Sequence, residues 1–403
     1  MTDADALADR VQAGDLAIHE LEEHTDPRTA AAARREYVRR ETGADLEAIG
    51  TVSFDPADAE TNVENALGAA QVPIGLAGPV PVDGDAADDE YLLPLATTEG
   101  ALVASVNRGC SALEAAAGAT VRVTKREMTR APVFRVYDVA EGKTVADWVE
   151  DNEDVLAEAA EATTSHGELT SVTPYAVGDS VFVRFGFDTK DAMGMNMATI
   201  ATAAAAERIE AETPAELVAL SGNMCTDKKP AAINAIEGRG RSVTADVRIP
   251  REVVAERFDT TPEAIAEVNT RKNLVGSAKA ASLGFNAHAA NVVAAMFVAT
   301  GQDPAQVVEG ANAITTVEAR EDELYASVSF ASLELGTVGG GTTLPTQAEA
   351  LAILGLRGGG DPPGANADAL AEVIAAGALA GELSLLAALA SRHLASAHED
   401  LGR

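Results

Sequence analysis

A chain of 403 residues, 47% of them hydrophobic, is long enough for two or three domains and too apolar for global disorder. Its 63 acidic residues against 30 basic ones give a formal net charge of −33, spread along the chain. That balance excludes a nucleic-acid face and implies solubility through carboxylate hydration in high salt. The two cysteines, Cys110 and Cys225, cannot build a disulfide framework and fit a reducing cytoplasm.

Residues 1–63 read as a helical N-terminal region, with no basic-then-apolar leader at its start. Val72–Val82, rich in Pro and Gly, reads as extended chain. Asp83–Glu90 follows as an acidic loop, and Leu102–Ala117 as an amphipathic helix. From about Ala131 to Leu220 the pattern becomes strand, helix, strand, strand, helix, strand. The strands are predicted over Val133–Val139, Leu169–Val177, Ser180–Phe187 and Leu217–Leu220, and the helices over Thr144–Thr163 and Met193–Ala211. That order predicts a ferredoxin-like unit over 131–220, inserted into a larger domain made of 64–130 and 221–403. The class is therefore α+β.

Further on, Thr261-Pro262 opens a helix as N-cap and first residue. Leu283–Thr300 is apolar nearly all round and predicts a long buried central helix, with His288 and Asn291 on one face. Glycine loops follow at Gly336–Thr342 and Gly358–Gly364, then an alanine-rich helical end carrying His393 and His398. The apolar windows Leu283–Gly301 and Ala371–Leu394 are interrupted by Asn286, His288, Glu382 and Arg392, so no membrane span is expected.

Lysine is scarce, yet Lys228 and Lys229 sit side by side after Asp227 in a polar, glycine-rich run, where developing or bound negative charge would be met. Glu99 precedes an apolar helix and, if buried, would donate a proton near neutrality. Gly194 at a predicted helix start and Gly339–Gly341 offer two backbone cradles for phosphate. No G-x-G-x-x-G follows a strand, so a nucleotide site here is not of Rossmann type. No His, Cys or Asp cluster has metal-ligand spacing, and no metal is expected.

Several uncommon strings then fall into one order: Glu64-Asn65 with Pro73–Pro79, Ala96–Cys110, Asp191–Met197, Ser221–Gly240, Lys272–Ala278, Asn286–Asn291, Gly301–Asp303 and Gly336–Thr342. In that order they resemble the 3-hydroxy-3-methylglutaryl-CoA (HMG-CoA) reductase family, closest to the class shared by eukaryotes and many archaea. The resemblance runs from Glu64 to the C-terminus. It implies two-hydride reduction of (S)-HMG-CoA to (R)-mevalonate and CoA with two NADPH, in dimers or dimers of dimers that share sites between subunits.

By the same resemblance Lys228 stabilises the oxyanion, Glu99 protonates it with a pKa kept high by burial, Asp303 links the two, and His398 protonates the CoA thiolate. Arg130, Ser221, Asn223, Asp227, Lys229, Lys272 and Asn291 hold the hydroxymethylglutaryl end. Asp191, Met193, Gly194, Met195, Asn196, Gly339, Gly340, Gly341 and Thr342 line the dinucleotide site. The loop Thr164–Gly167 and Arg403 are the expected partners of the ribose 2′-phosphate, through His166. A mevalonate-oxidising enzyme using NAD is the nearest alternative, and an acyl-transfer thiol at Cys225 or Cys110 a more distant one.

The charge balance carries a first prediction. With −33 of charge opposing compaction, the circular-dichroism signal is expected to collapse when salt falls below about 1 M, where screening weakens. Unchanged stability in dilute buffer would contradict it.

Overall fold

Capping chemistry sets where the helices begin. In the computed structural model, which describes residues 3–401 and their side chains through Ser391, Asp26 accepts from Thr29 N at 3.0 Å and opens the helix Pro27–Thr42. Asp138 accepts from Ala140 N and Glu141 N at 2.9 Å and opens Val139–Asp151. Thr261 accepts from Ala264 N and opens Pro262–Val268. Each satisfies N–H groups that a helix start leaves orphaned.

Ten strands, among the described residues, form one continuous sheet. They are β1 (Ile74–Asp83), β2 (Asp88–Ala96), β3 (Ala119–Arg130), β4 (Val133–Arg135), β5 (Glu168–Val177), β6 (Ser180–Asp188), β7 (Glu216–Ala219), β8 (Gly240–Pro250), β9 (Ala313–Ala319) and β10 (Glu323–Leu333). The order is β7-β4-β6-β3-β8-β10-β9, with β5 on the far side of β6 and β1 beside β2 and β3. Pairing is antiparallel throughout except β1 with β3.

β3 belongs to both halves. Thr120–Glu127 pairs with β8, and Met128–Arg130 pairs with β6. The chain returns from the second half beside its own exit: Val133 pairs with Ala219, and Gly222 N donates to Ala131 O at 2.6 Å. The second half has its own core, in which Phe134, Phe185 and Phe187 of the sheet meet Val145, Leu156 and Ala201 of the helices.

The predicted elements need three corrections. The first strand of the second half stops at Arg135, because Asp138 caps a helix that starts well before Thr144. That helix breaks at Asn152 into Val139–Asp151 and Glu153–Glu161. The helix expected over Leu283–Thr300 covers only Ala289–Thr300, since Phe285 instead bridges to Ile314 as extended chain.

The longest helix is the C-terminal one, Ala365–Leu401, buried along most of Ala365–Ala390. Its segment Ala365–Ser391 is apolar and long enough to cross a membrane, but 83% of its most apolar window lies inside the fold. Leu370, Val373, Ile374, Leu379, Leu383 and Leu386 are fully buried, each worth about 1.5–3 kcal/mol. It packs on the helix Leu102–Ala115 so closely that a Cβ on Gly109 would lie 2.0 Å from Ala380 O.

Two of its buried carboxylates tie down neighbouring segments. Glu372 accepts from Asp85 N, Ala86 N and Ala87 N at the β1–β2 turn. Glu382 accepts from Ala287 N and His288 N at 2.6 Å and from Thr315 Oγ1 at 2.7 Å.

In the N-terminal region, buried Arg34 pairs with Glu22 and donates to Ile18 O and Ala66 O. Arg35 reaches Leu67 O, and Gln71 reaches Ala48 O and Thr51 O. Residues 65–71 therefore pack with the helices that precede them.

Replacing Glu382 by Ala strands two half-buried N–H groups and a buried hydroxyl. Denaturant unfolding in high salt should show a loss of about 3 kcal/mol or more for Glu382→Ala and a smaller one for Glu382→Gln. A Glu382→Ala midpoint equal to the unmodified chain would contradict this.

Candidate active site

Two glycine loops meet face to face. Ala192 bridges to Val338, and Asp191 O accepts from Thr337 N at 2.8 Å. A Cβ on Gly336 would lie 2.4 Å from Met193 N, and one on Gly301 would lie 2.4 Å from Gly341 O, so the approach requires glycine. Gln302 fastens it, donating to Gly336 O and accepting from Gly336 N at 2.8 Å.

Between the loops lies a cleft of about 570 Å³, lined by Asn62, Met193–Met197, Gly301–Pro304 and Gly339–Thr342 among others. The helix Met195–Glu212 opens onto it behind Gly194, with no side chain capping its first N–H groups. Gly339 and Gly340 have open space where a side chain would stand. Uncapped N–H donors beside open glycines fit the phosphates of a dinucleotide.

Asp191 itself faces away. Its carboxylate accepts from Gly360 N at 2.9 Å, Gly364 N at 2.7 Å and Ala367 N at 3.1 Å, so it fixes the start of the C-terminal helix and shapes the cleft only through its backbone. The Thr164–Gly167 loop abuts Met197 of the cleft, because a Cβ on Gly167 would meet Met197 Sδ at 2.4 Å. Arg403 lies outside the described residues.

Asp303, on the cleft wall, pairs with Lys228 Nζ at 3.1 Å. Its other oxygen caps the short helix Pro304–Gln306 through Ala305 N. Lys228 stands in a tight turn where Asn223, Thr226 and Lys228 all have positive φ, at 64°, 49° and 59°. Such conformations cost non-glycine residues about 1–3 kcal/mol each and persist only where surroundings impose them. Here the imposition is visible: Lys228 N donates to Glu309 Oε1 at 2.5 Å, and Asn234 donates to Cys225 O and Thr226 O.

Behind the turn lies a charge cluster that sequence reasoning missed. Arg239, Glu309 and Glu334 have fully buried side chains. The Arg239 guanidinium pairs with Asp227 and Glu334 at 3.1 Å and with Glu309 at 3.6 Å, and also donates to Gln306 and to Met195 Sδ. Burial raises Glu309 and pushes Glu334 up to about 8, with Arg239 opposing both shifts. Burial works against ionised Asp227 too, but the hydrogen bond from Gln306 and the charges of Arg239, Lys228 and Arg130 hold it below the usual range. The only sequence signals were Arg239 between two glycines and Glu334 between two leucines.

Glu99 lies elsewhere. It is exposed, at the rim of a cavity of about 450 Å³ that also holds Arg108, His288, Asn291 and Leu385. The burial expected for it is not provided by the single chain. His288 Nε2 meets Gly381 O at 2.8 Å, and since that oxygen only accepts, Nδ1 is left to face Asn291 Nδ2 at 3.5 Å. Arg108, not singled out from sequence, grips Ser384 of the C-terminal helix.

Arg130, Ser221, Asn223, Asp227, Lys229 and Lys272 line neither cavity. Arg130 acts on Asp227 through its charge, Ser221 stands 4.0 Å from Cys225 Sγ, and Lys229 Nζ donates to Asp227 O. Lys272 Nζ reaches Ala287 O at 3.4 Å, on the chain leading to His288. His398 lies outside the residues whose side chains are described. Both cysteines are buried, and burial pushes the Cys110 thiol up to about 12, far from a nucleophile's range.

Glu334 makes stability depend on pH. Its folded-state value of about 8 exceeds that of a carboxyl in the unfolded chain, so the folded state holds a proton that the unfolded state has lost over that interval. Stability from this group is full below the ordinary carboxylate value and falls as pH rises toward about 8. Glu334→Gln should flatten the fall in unfolding midpoint between about pH 5 and pH 8. Identical pH dependence in both proteins would contradict it.

The hydroxymethylglutaryl-coenzyme A reductase family model matches residues 30–403. Over 402 residues the chain is 74% identical to the 3-hydroxy-3-methylglutaryl-coenzyme A reductase of Halobacterium salinarum, covering 100% of this chain and 99% of that protein. It is 70% identical to the Haloferax volcanii reductase, with 100% of both covered, and 51% identical to that of Pyrococcus abyssi, with 98% and 99% covered. The fold is similar to the class II 3-hydroxy-3-methylglutaryl-CoA reductase of Streptococcus pneumoniae bound to NADPH, at a TM-score of 0.68 and 21% identity, over 93% of this chain and 100% of that one. The glycine-walled cleft, the paired lysine and the sequence likeness along the whole chain agree, and the chain belongs to the hydroxymethylglutaryl-coenzyme A reductase family.

Proposed function

We propose that Lys228, Asp303, Glu99 and His398 carry out the family's reaction in this chain. The chain is an NADPH-dependent oxidoreductase that reduces (S)-3-hydroxy-3-methylglutaryl-CoA to (R)-mevalonate and CoA, in the mevalonate route to isoprenoids. The single observation that supports the assignment most is the Lys228–Asp303 pair at 3.1 Å, whose aspartate lines the glycine-walled cleft.

Two NADPH molecules, bound in turn, would each supply one hydride, and Met193–Asn196 with Gly339–Thr342 would hold them. Each addition leaves negative charge on the same substrate oxygen. The Lys228 ammonium meets that charge, an interaction worth several kcal/mol in a water-poor site. Asp303 keeps the ammonium in place before the charge develops. Glu99 gives the oxygen its proton, and His398 protonates the CoA thiolate that leaves between the two reductions. Arg130, Ser221, Asn223, Asp227, Lys229, Lys272 and Asn291 hold the hydroxymethylglutaryl end.

Residues 131–220 are read as an inserted ferredoxin-like domain, not a Rossmann one, between 64–130 and 221–403, with 1–63 as a helical N-terminal domain. The strand order β7-β4-β6-β5 and the separate core over 128–215 support this. A dimer or dimer of dimers with shared sites is also proposed, since Glu99 and Asp303 line different cavities of one chain. Buried, unpaired cysteines support a cytoplasmic setting.

The experiment contrasts two substrates. Lys228→Ala should abolish reduction of both HMG-CoA and free mevaldehyde, because the oxyanion forms in both steps. His398→Gln should slow HMG-CoA reduction by about two orders of magnitude and leave mevaldehyde nearly unaffected, since mevaldehyde expels no thiolate. Near-normal mevaldehyde reduction by Lys228→Ala would remove Lys228 from its role.

A further inference from the structure

We infer that Glu309 is a positioning residue for Lys228: its carboxylate oxygen, reaching the Lys228 N–H, holds the lysine in the left-handed turn that presents its ammonium to Asp303. The inference rests on the reading of Lys228 as the oxyanion's partner. Three observations carry it.

The first is geometric. Lys228 has φ +59°, a conformation that a lysine does not adopt without support. Its N–H points into the protein and finds Glu309 Oε1 at 2.5 Å, while its side chain points the other way and finds Asp303 at 3.1 Å. One residue is thus gripped at the backbone from behind and at the ammonium from the front. The second is the anchor. Glu309 stands in the short helical turn Val307–Gly310, which begins directly after Gln306 of the turn that Asp303 caps. The same few residues therefore set both the position of the lysine's backbone and the position of its counter-ion.

The third is that the carboxylate is enclosed beside a buried guanidinium, its other oxygen buried without a partner. The Glu309 side chain is fully buried against Arg239, which also holds Asp227, the residue preceding Lys228. The groups facing Glu309 are Arg239, Glu334 beyond it, and the N–H groups of Lys228 and Lys229. No other carboxylate or hydroxyl is bonded to the Lys228 N–H among the described residues.

The inference separates reach from charge. Glu309→Asp keeps the charge but withdraws the oxygen by about 1.5 Å, the length of one carbon–carbon bond. Glu309→Gln keeps the reach and an accepting oxygen but removes the charge, and Glu334, whose proton affinity is raised in part by Glu309, can then ionise against Arg239. A displacement of about 1 Å at a catalytic group can cost 100-fold in rate. In multimolar salt, Glu309→Asp is expected to lower kcat by at least tenfold with both HMG-CoA and mevaldehyde, with KM for NADPH unchanged. Glu309→Gln is expected to stay within about threefold of the unmodified enzyme, a conservative rescue consistent with the hydrogen bond alone.

The reverse order would assign the effect to charge and overturn the inference, as would normal kcat in both variants. A fall in kcat accompanied by equal loss of NADPH affinity would also overturn it, since that is general disruption. Lys228→Ala, assayed alongside, keeps the two readings apart. If that variant is active, the role of Lys228 fails; if it is inactive while Glu309→Asp is normal, only the positioning role fails.

Discussion

The site hangs on one buried guanidinium. Arg239 joins four segments distant in sequence: Asp227 of the lysine turn, Gln306 and Glu309 of the segment after Asp303, Glu334 at the end of β10, and Met195 at the start of the cleft helix. A buried arginine with no solvent to relax into must be met by fixed partners, and its planar fork dictates where they stand. The wall that carries the lysine and the wall that carries the glycine cradle are thereby referred to a common origin. Burial raises Glu309 and Glu334 toward protonation, while the hydrogen bond from Gln306 and the charges of Arg239, Lys228 and Arg130 keep Asp227 ionised.

Where chemistry is local, the sequence was legible. Gly194, Gly301, Gly336 and Gly341 sit where positive φ or close backbone approach leaves no alternative, and their loops meet as their composition implies. Lys228 and Asp303, which only the family resemblance linked, are found together. Residues whose role comes from three-dimensional neighbours were not legible. Asp191 sits in the right string, yet its side chain serves the helix that starts at Ala365, a partner that nothing nearby in the sequence announces. Arg239 carries no local mark beyond its two flanking glycines. The error over Leu283–Thr300 has the same root: an all-apolar run says that a segment is buried, and burial alone does not say whether it is helical.

The C-terminal helix shows how a nearly featureless sequence can be informative by exception. Among its alanines and leucines, Asp368, Glu372, Glu382 and Ser384 are buried interruptions, and each meets a partner elsewhere in the fold. Through them one helix reaches the β1–β2 turn, the start of the His288 helix and Arg108. Its own beginning is fixed by Asp191 beside the cleft.

The shared strand β3 decides how the two halves can move relative to each other. Domains joined by a slack linker swing like a flap. Here the strand that leaves the large half is already laddered to both β8 and β6, and the returning chain is hydrogen-bonded to it at Ala131 and Val133. A swing would have to break that ladder, whereas a twist along the strand only redistributes the angle between neighbouring residues. Glu127–Arg130, where the strand passes from one half to the other, is therefore where any rotation between the halves has to be taken up.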